Sequence, residues 1–254
     1  MCETVRRHPR VSTGRKLRVG RLILWDIDGT LIYGGGVGSR ALKDAAAAVA
    51  QLDQVPDVDM HGKTDPQILR DIFAAAEVAE HLIDALVSDA TTAAEAALAA
   101  AEDELRQKGG VLPGVIHVLE QLHATPAVRQ TVVTGNLVGN AALKLAAFEL
   151  SEFFDSEVGA YGTDHADRLE LVPIALDRVA RLRGETYDPW DVWVIGDTAN
   201  DLACARAGGA RCLLVGTGVG FERIRDLPAD HVACDLSDVE HIVEILTSDR
   251  RPPT

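Results

Sequence analysis

Two aspartates, two positions apart, follow an apolar run near the start of the chain. The run is Leu22-Ile23-Leu24-Trp25, and the aspartates are Asp26 and Asp28. Alternate residues of a strand lie on the same face, so a strand ending at Trp25 would deliver both carboxylates to its carboxyl end. Carboxylates that close repel each other unless a cation or a proton separates them. Although Asp and Gly are also ordinary turn residues, the pair favours a chemical role.

Other polar groups follow a second apolar run. Thr134, Gly135 and Asn136 come directly after Val132-Val133. A hydroxyl and backbone amides at a strand end suit an anionic oxygen, but a capped helix start is an equally good interpretation of this segment alone. Arg168 begins a predicted helix further along, and taken alone it is more typical of a solvated surface group.

A second pair of acids follows the run Val192-Trp193-Val194-Ile195. These are Asp197 and Asp201, and capping of the next helix would explain one of them but hardly both. Together with Asp26 and Asp28 they predict four carboxylates at neighbouring strand ends. Such a cluster needs a divalent cation, and ligands that are all oxygen select a hard ion such as Mg²⁺. The hydroxyl, amide and guanidinium groups predicted around that ion are those that a phosphoryl group requires.

These residues must be positioned by a sheet, because short apolar runs alternate with helical patterns along the chain. That alternation predicts an α/β fold with a parallel sheet. The predicted strands cover residues 21–25, 130–134, 157–161, 192–195, 212–215 and 231–233. The predicted helices cover residues 115–122, 140–148, 169–182, 201–207 and 239–246. In the third helix one apolar stripe is expected from Leu171, Ile174, Ala175, Val179 and Leu182.

The segment from Ser39 to about Lys108 breaks the alternation and is predicted to be wholly helical. Ser39 is expected to cap one helix, and Asp65-Pro66 to begin another. The apolar face of that second helix is predicted to comprise Ile68, Leu69, Ile72 and Phe73. Glycine-rich residues 34–38 and 109–110 flank the segment as hinges or as surface loops. Because the segment follows the first carboxylate pair directly, it could form a lid over that pair.

Composition sets outer limits on function. The 254 residues, 47% hydrophobic and 25% charged, are typical of an ordinary globular protein with a large core or two unequal domains. A net charge of -14 argues against nonspecific binding to nucleic acid or anionic membranes, but it does not exclude an anionic substrate. The four cysteines show no zinc-site spacing, which favours free thiols in the cytoplasm. No apolar run reaches the length of a membrane span, and residues 1–19 are interpreted as a disordered basic tail.

The motifs together resemble those of the haloacid dehalogenase-like hydrolase superfamily, on the side of the phosphoglycolate-phosphatase-like enzymes. The matching segments are Asp26-Ile27-Asp28-Gly29-Thr30, Val132-Val133-Thr134-Gly135-Asn136, Arg168 and Gly196-Asp197-Thr198-Ala199-Asn200-Asp201. Arg168 stands where a lysine is commoner, but a guanidinium keeps the charge and still binds phosphate. The resemblance implies that Asp26 attacks phosphorus and that Asp28 first protonates the leaving oxygen and then activates water.

The same resemblance implies roles for the remaining candidates. Mg²⁺ would be held by the Asp26 carboxylate, the Asp28 backbone carbonyl and Asp197, with Asp201 supporting through water. The phosphoryl oxygens would be bound by Thr134, Gly135, Asn136 and Arg168. Residues 20–33 and 111–254 would form a Rossmann-like parallel-sheet core, and residues 34–110 an inserted all-helical cap. Within the cap Lys63 would contact a substrate carboxylate or second phosphate, although it also reads as a solvated lysine before a capped helix.

The sequence therefore predicts a Mg²⁺-dependent phosphatase of a small phosphorylated metabolite. It is expected to be a cytoplasmic monomer or homodimer, with no nucleic-acid or membrane partner. Three alternatives stay open on this fold: a hexose-phosphate mutase, a phosphonate hydrolase that uses Lys63 as an amine nucleophile, and a non-catalytic binding module. A dehalogenase of the same superfamily would not need Asp28 or a metal, and both are provided for here. A receiver domain that accepts phosphate on aspartate would lack both the helical insertion and the second aspartate.

Overall fold

The structure, a computed structural model, describes residues 17–18 and 20–248. The predicted basic tail, residues 1–19, lies outside the described residues except at positions 17 and 18. These two residues form a short strand that pairs in parallel with residues 185–186, so they differ from the predicted disorder. Within the described residues no helix has both the length and the apolar character that crossing a membrane requires.

Six of the strands form one parallel sheet, in the order β10-β9-β8-β2-β5-β6. In chain order the strands are β1 Leu17–Arg18, β2 Arg21–Trp25, β3 Ile32–Tyr33, β4 Gly110–Val111, β5 Val128–Thr134, β6 Ala160–Tyr161, β7 Glu185–Thr186, β8 Val192–Gly196, β9 Arg211–Val215 and β10 His231–Ala233. The α/β fold with a parallel sheet is confirmed, because all six predicted runs contribute strands to it.

Helices cover both faces of this sheet. In chain order they are α1 Val37–Ala50, α2 Asp65–Ala75, α3 Glu80–Ala100, α4 Glu102–Lys108, α5 Val115–His123, α6 Val138–Ala147, α7 Leu171–Arg183, α8 Ala199–Ala207, α9 Phe221–Ile224 and α10 Val239–Thr247. Side chains of β2 alternate between two cores: Ile23 and Trp25 pack with α5, α6 and α10, whereas Leu22 and Leu24 pack with α7 and α8. A strand buried on both faces explains the continuous apolar run before Asp26.

The register of the sheet brings the strand ends together. Trp25 lies opposite Val132 on one side and Ile195 on the other. The backbone N–H of Asp26 then donates to the Ile195 carbonyl at 2.9 Å. Residues that follow β2, β5 and β8 therefore reach the same edge of the sheet, where parallel α/β folds bind their ligands.

Helices α1 to α4 form an insertion between β3 and β4, and we call residues 37–108 the helical insertion. Strands β3 and β4 pair antiparallel, so the chain leaves and re-enters the sheet region at one place. The insertion has its own core, which includes the predicted face of α2, Ile68, Leu69, Ile72 and Phe73. Positive φ angles at Gly35 and Gly36 form the sharp entry into α1.

Three local predictions were wrong. The first helix begins at Val37 with Gly36 as its N-cap, so Ser39 lies inside the helix and donates its hydroxyl to the Gly36 carbonyl at 3.0 Å. Leu182 is 46% exposed, because α7 ends one residue later. Of the predicted strand over residues 157–161, only the last two residues pair in the sheet, and the chain before them forms one 3₁₀ turn.

Candidate active site

A cavity of about 260 Å³ lies at the carboxyl edge of the sheet, between the sheet and the helical insertion. Its walls contain most of the residues predicted from the sequence, which are Asp26, Asp28, Lys63, Thr134, Gly135, Asn136, Arg168 and Asp197. Asp201 does not line the cavity; it is fully buried behind it. The topology therefore joins groups that are up to about 170 positions apart in the chain into one site.

Asp26 faces a buried arginine. Its side chain is 8% exposed, and its Oδ1 lies 3.0 Å from Nη2 of Arg168, whose side chain is 6% exposed. Burial raises the pKa of Asp26 to about 6; Arg168 opposes this shift, and the charges of Asp201 and Asp28 add to it. An aspartate held against a guanidinium, at the end of a rigid strand, has the fixed orientation that a nucleophile requires.

Asp201 holds that arginine in place. Its Oδ1 forms an ion pair with Arg168 Nη2, and its Oδ2 accepts the Thr198 N–H at 3.0 Å and the Thr198 hydroxyl at 2.7 Å. The bond from the Thr198 N–H forms a capping box at the start of α8 together with the Thr198 hydroxyl oxygen, which accepts the Asp201 N–H at 3.4 Å. Both carboxylate oxygens of Asp201 thus contact protein groups.

Asp26, Asp197 and Asp201 form a buried acidic cluster, with one carboxylate oxygen of each lying within 4.8 Å of the others. Burial, followed by the charges of Asp201 and Asp26, raises the pKa of Asp197 to about 8. Ionisation of all three carboxylates would leave a negative charge of which Arg168 neutralises only part. The excess and the all-oxygen donor set fit a hard divalent cation, so this cluster could hold a metal ion.

Two glycines, Gly29 and Gly218, allow the backbone to lie close against the Asp197 carboxylate. A side chain on Gly218 would begin 1.9 Å from Asp197 Oδ2, and one on Gly29 would begin 2.8 Å from the same atom. The Val219 N–H also donates to this oxygen at 3.2 Å. The Gly29 in the first motif therefore does more than allow a turn, because it lets the fourth-motif carboxylate lie against the first loop.

Thr134 and Asn136 meet the site at the end of β5. The Thr134 hydroxyl oxygen is buried and accepts Asn136 Nδ2–H at 2.8 Å, which leaves the hydroxyl proton available to an anionic oxygen. Gly135 lies under the helical insertion, since a side chain there would begin 2.1 Å from the Lys63 carbonyl oxygen. The close contact explains why the motif has glycine at this position.

Asp28 is held by a lysine that the sequence analysis missed. Lys144 Nζ donates to Asp28 Oδ2 at 2.6 Å and to Asn136 Oδ1 at 2.6 Å. Asn136 Nδ2 donates to the same Asp28 oxygen at 2.8 Å. One signal could have found Lys144: it adjoins Leu145 on the apolar face of its predicted helix, where a lysine requires a partner.

The loop before α2 closes the cavity from the insertion side. Lys63 Nζ lies 2.7 Å from Asp71 Oδ2 and its side chain is 25% exposed. The Thr64 hydroxyl donates to the Ala166 carbonyl at 2.6 Å, while Asp65 Oδ2 accepts the Leu137 N–H at 2.9 Å. The structure thus places Lys63 in the cavity wall, anchored by an aspartate of the helix that follows it.

Asp65 is a second buried site group that sequence analysis did not single out as a titratable residue. It lines the cavity and is 7% exposed. Burial raises its pKa to about 6, and the nearby charge of Lys144 and the Leu137 N–H partly oppose that shift. The N–H of Asp65 also donates to the Gly135 carbonyl at 2.7 Å, so this residue joins the insertion to the second motif twice.

Known proteins share this arrangement. The sequence model of the family described as haloacid dehalogenase-like hydrolase matches residues 21–209, which include all four motif segments. The chain belongs to that family. Its helical insertion and its site residues can therefore be compared with enzymes whose names state an activity.

Two relatives place the chain on the phosphoglycolate-phosphatase-like side of the family. The phosphoglycolate phosphatase of Caulobacter vibrioides is 30% identical over 249 residues, which cover 92% of this chain and 96% of that protein. Phosphoglycolate phosphatase 1 of Pseudomonas aeruginosa is 26% identical over 210 residues, covering 81% of this chain and 73% of that protein. The prediction of a hydrolase that acts on phosphoric monoesters is confirmed at the level of family and relatives.

A solved structure supports the fold. CbbY from Rhodobacter sphaeroides, in complex with phosphate, superimposes with a TM-score of 0.64 at 19% identity, and the match covers 87% of this chain and 96% of that one. At this identity the likeness shows a shared fold alone. The α/β core and its helical insertion are thus a known architecture.

Proposed function

We propose that this protein is a Mg²⁺-dependent phosphatase that hydrolyses a small, phosphoglycolate-like phosphate monoester through an aspartyl phosphate on Asp26. The observation that carries this proposal is the pairing of two aspartates with separate cations in one cavity. Asp26 is buried against Arg168, whereas Asp28 is half-exposed and bound to Lys144. Two carboxylates in unlike surroundings can take unlike chemical roles.

In the first step, an oxygen of Asp26 attacks phosphorus and the bond to the leaving oxygen breaks. Asp28 gives its proton to that oxygen, so that the product leaves as an alcohol. Thr134 and Arg168 bind the phosphoryl oxygens, which carry the developing charge. Asp28 is suited to reach the leaving group because its side chain is 45% exposed toward the cavity.

In the second step, Asp28 takes a proton from a water molecule that attacks the phosphorus of the intermediate. The bond between phosphorus and Asp26 breaks, inorganic phosphate is released and the Asp26 carboxylate is restored. The same residue thus serves as acid and then as base, as microscopic reversibility of its proton transfer allows. The half-exposed position of Asp28 gives that water access.

We assign the Mg²⁺ ion to the Asp26 carboxylate, the Asp28 backbone carbonyl and Asp197, with Asp201 in support. The excess negative charge of the acidic cluster supports this assignment. When bound, the ion supplies positive charge to the phosphoryl oxygens. Arg168 and the Val219 N–H keep these carboxylates in position in spite of their mutual repulsion.

We further propose that residues 34–110 act as a cap whose loop at Lys63 selects the substrate. The cavity of about 260 Å³ suits a small metabolite. A phosphonate hydrolase would need a free amine as nucleophile, but the Lys63 amine is bound by Asp71. A non-catalytic module would not need the nucleophile, the acid and the metal carboxylates together.

The described cysteines are free thiols, which agrees with a reducing cytoplasm.

Phosphate release from a panel of monoesters tests the proposal. The panel contains 2-phosphoglycolate, sugar phosphates, nucleotides and p-nitrophenyl phosphate, each with Mg²⁺ and with excess chelator. We expect release from a small ester, and we expect Asp26→Asn or chelation to lower kcat by several orders of magnitude, since a nucleophile has no substitute. Asp57→Asn, at an exposed position of the insertion, is the matched control. Turnover that survives Asp26→Asn in a folded protein would contradict the mechanism, and isomerisation of a sugar phosphate without phosphate release would favour a mutase.

A further inference from the structure

Lys144 has no role in the chemistry proposed above, although its ammonium is among the most buried charges of the cavity. Its side chain is 6% exposed, and it extends from α6 on the face shared with Asn140, Ala141 and Leu145. Burying an ammonium is costly unless it is paired and hydrogen-bonded. The contacts that offset this cost therefore indicate what the residue holds in place.

Those contacts form a closed triangle with Asp28 and Asn136. Lys144 Nζ donates to Asp28 Oδ2 and to Asn136 Oδ1, both at 2.6 Å, and Asn136 Nδ2 donates to Asp28 Oδ2 at 2.8 Å. Asn136 is itself fixed by its bond to the Thr134 hydroxyl at 2.8 Å. The buried side chains of Lys144 and Asn136 thus both donate to Oδ2 of the half-exposed Asp28, which fixes the orientation of its carboxylate.

The other carboxylate oxygen of Asp28, Oδ1, is available for proton transfer. Among the residues that the structure describes, none donates a hydrogen bond to Asp28 Oδ1. A carboxyl group held by one oxygen can carry and deliver a proton on the other. The orientation of that second oxygen is therefore set by Lys144 and Asn136.

The helical insertion also touches the ammonium of Lys144. A side chain on Gly38, in the first turn of α1, would begin 3.2 Å from Lys144 Nζ. Asp65, at the start of α2, lies close enough for its charge to interact with Lys144. Lys144 thus lies between Asp28 and the insertion, with little room to leave the carboxylate.

We propose that Lys144 is a positioning residue for Asp28. Together with Asn136, it anchors Oδ2 so that Oδ1 faces the leaving oxygen and then the attacking water. This inference rests on the proposed function, because it assumes that Asp28 is the proton donor. It assigns a role in proton transfer to a residue outside the four motif segments. The two buried cations then have different partners, because Lys144 orients Asp28 whereas Arg168 pairs with Asp26.

A leaving-group comparison tests the inference. Proton donation matters most when the departing oxygen is basic, so Lys144→Met should harm an alkyl phosphate more than p-nitrophenyl phosphate. We expect kcat/KM for the alkyl ester to fall about 10- to 100-fold further than kcat/KM for the aryl ester, a part of the roughly 10²- to 10⁴-fold that a general acid contributes. The ratio kcat/KM is compared because it reports the transfer of the phosphoryl group to Asp26, whereas kcat also contains the hydrolysis of the intermediate, which both esters share. Lys43→Met, which removes a lysine paired with the exposed Asp57, is the control.

A double-mutant cycle then shows whether Lys144 acts through Asp28. In an Asp28→Asn background, adding Lys144→Met should cause no further selective loss on the alkyl ester, because the proton donor is already absent. Lys144→Gln is the second variant, in case the Met variant does not fold, and it should show the same selectivity. Thermal unfolding confirms that the variants compared are folded.

Each outcome has a distinct meaning. An equal loss of kcat/KM on both esters, or a further selective loss of kcat/KM in the Asp28→Asn background, overturns the positioning role. So does unchanged selectivity of both Lys144 variants when Asp28→Asn alone is selective. If Asp28→Asn is itself without selective effect, then the proton-donor role in the proposed function fails, and the inference fails with it.

Discussion

Two carboxylates two positions apart meet different cations because both follow the end of β2, one directly and the other further into the loop. Asp26 comes directly after the strand, is buried and faces Arg168. Asp28 lies in the loop, half-exposed, and faces Lys144. In the proposed mechanism these unlike surroundings assign the role of nucleophile to Asp26 and the role of proton carrier to Asp28.

The proposed role of Lys63 in substrate selection is tested by comparing a substrate that carries a second anionic group with one that does not. An ammonium has three donors, so the Lys63 amine can keep Asp71 and still bind an anionic group of the substrate. Lys63→Ala should lower kcat/KM for 2-phosphoglycolate at least tenfold, which corresponds to about 1.4 kcal/mol, and should barely change it for p-nitrophenyl phosphate. Steady-state kinetics on both substrates provides the measurement.

Lys43→Ala is the matched control for this prediction, since Lys43 also pairs with an aspartate of the insertion, Asp57, but does not line the cavity. Equal losses on both substrates would assign Lys63 to the stability of the insertion. Unchanged kinetics on both would make it a surface lysine, and the phosphoglycolate-like substrate would lose its support in the cap.

At the scale of elements, the start of α2 is the joint between the insertion and the sheet. Asp65 binds backbone groups of the loop after β5 from both its N–H and its carboxylate. Burial raises its pKa from the ordinary 3.8 to about 6. The native state therefore favours the protonated carboxyl, and ionisation above this pKa destabilises the joint.

The ionisation of Asp65 should lower the free energy of unfolding as the pH rises from about 4 to 6, because its pKa is higher in the native state than in the unfolded state. Below about pH 4 the Asp65 carboxyl is protonated in both states and adds no penalty, and the penalty grows as pH rises toward 6. Asp65→Asn removes this group's titration, so the stability of the variant relative to the unchanged protein should rise by about 1 to 3 kcal/mol between pH 4 and 7. Denaturant unfolding at several pH values measures the difference. Parallel stability curves for the two proteins would contradict it, and Asp57→Asn serves as the exposed control.

The elements themselves were largely predictable from the sequence. Strand β2 was predicted with its observed ends, since five residues buried on both faces leave an uninterrupted apolar run. The four short strands β1, β3, β4 and β7 were not predicted, because two-residue pairings depend on where distant segments meet. Helix α1 was misplaced at its start because Gly36 in a left-handed conformation took the N-cap position from Ser39.

The site was predictable where its groups lie at strand ends, and it was not where they depend on helix packing. Asp26, Thr134 and Asp197 follow β2, β5 and β8, so parallel register alone brings them together. The apolar pattern of α6 indicates a buried Lys144, but it does not specify that the packing of α6 against the sheet core brings this lysine to Asp28. The role of Asp65 likewise depends on how the insertion meets the core.

At the scale of the whole molecule, the insertion is in contact with the sheet at several places around the cavity. Glu95 of α3 accepts the Gly139 N–H at 2.9 Å, and Asn200 of α8 donates to the His61 carbonyl at 3.0 Å. Contacts on two sides hold the insertion over the carboxyl edge of the sheet, and the insertion thereby forms one wall of the cavity. Three cations in the cavity wall, Lys63, Lys144 and Arg168, offer partners to an anionic group in spite of the net charge of -14.

The central claim, that Asp26 carries the phosphoryl group, is tested most directly by trapping it. Asp28→Asn should still release p-nitrophenolate, which needs little protonation, but should hydrolyse the intermediate slowly because the base is missing. Acid quenching during turnover, peptic digestion and mass spectrometry should then show one phosphoryl group on Asp26, at higher occupancy than in the unchanged protein. Asp26→Asn should show none. Release of p-nitrophenolate by Asp28→Asn with no phosphoryl group on Asp26, or with the group on another residue, would contradict the account.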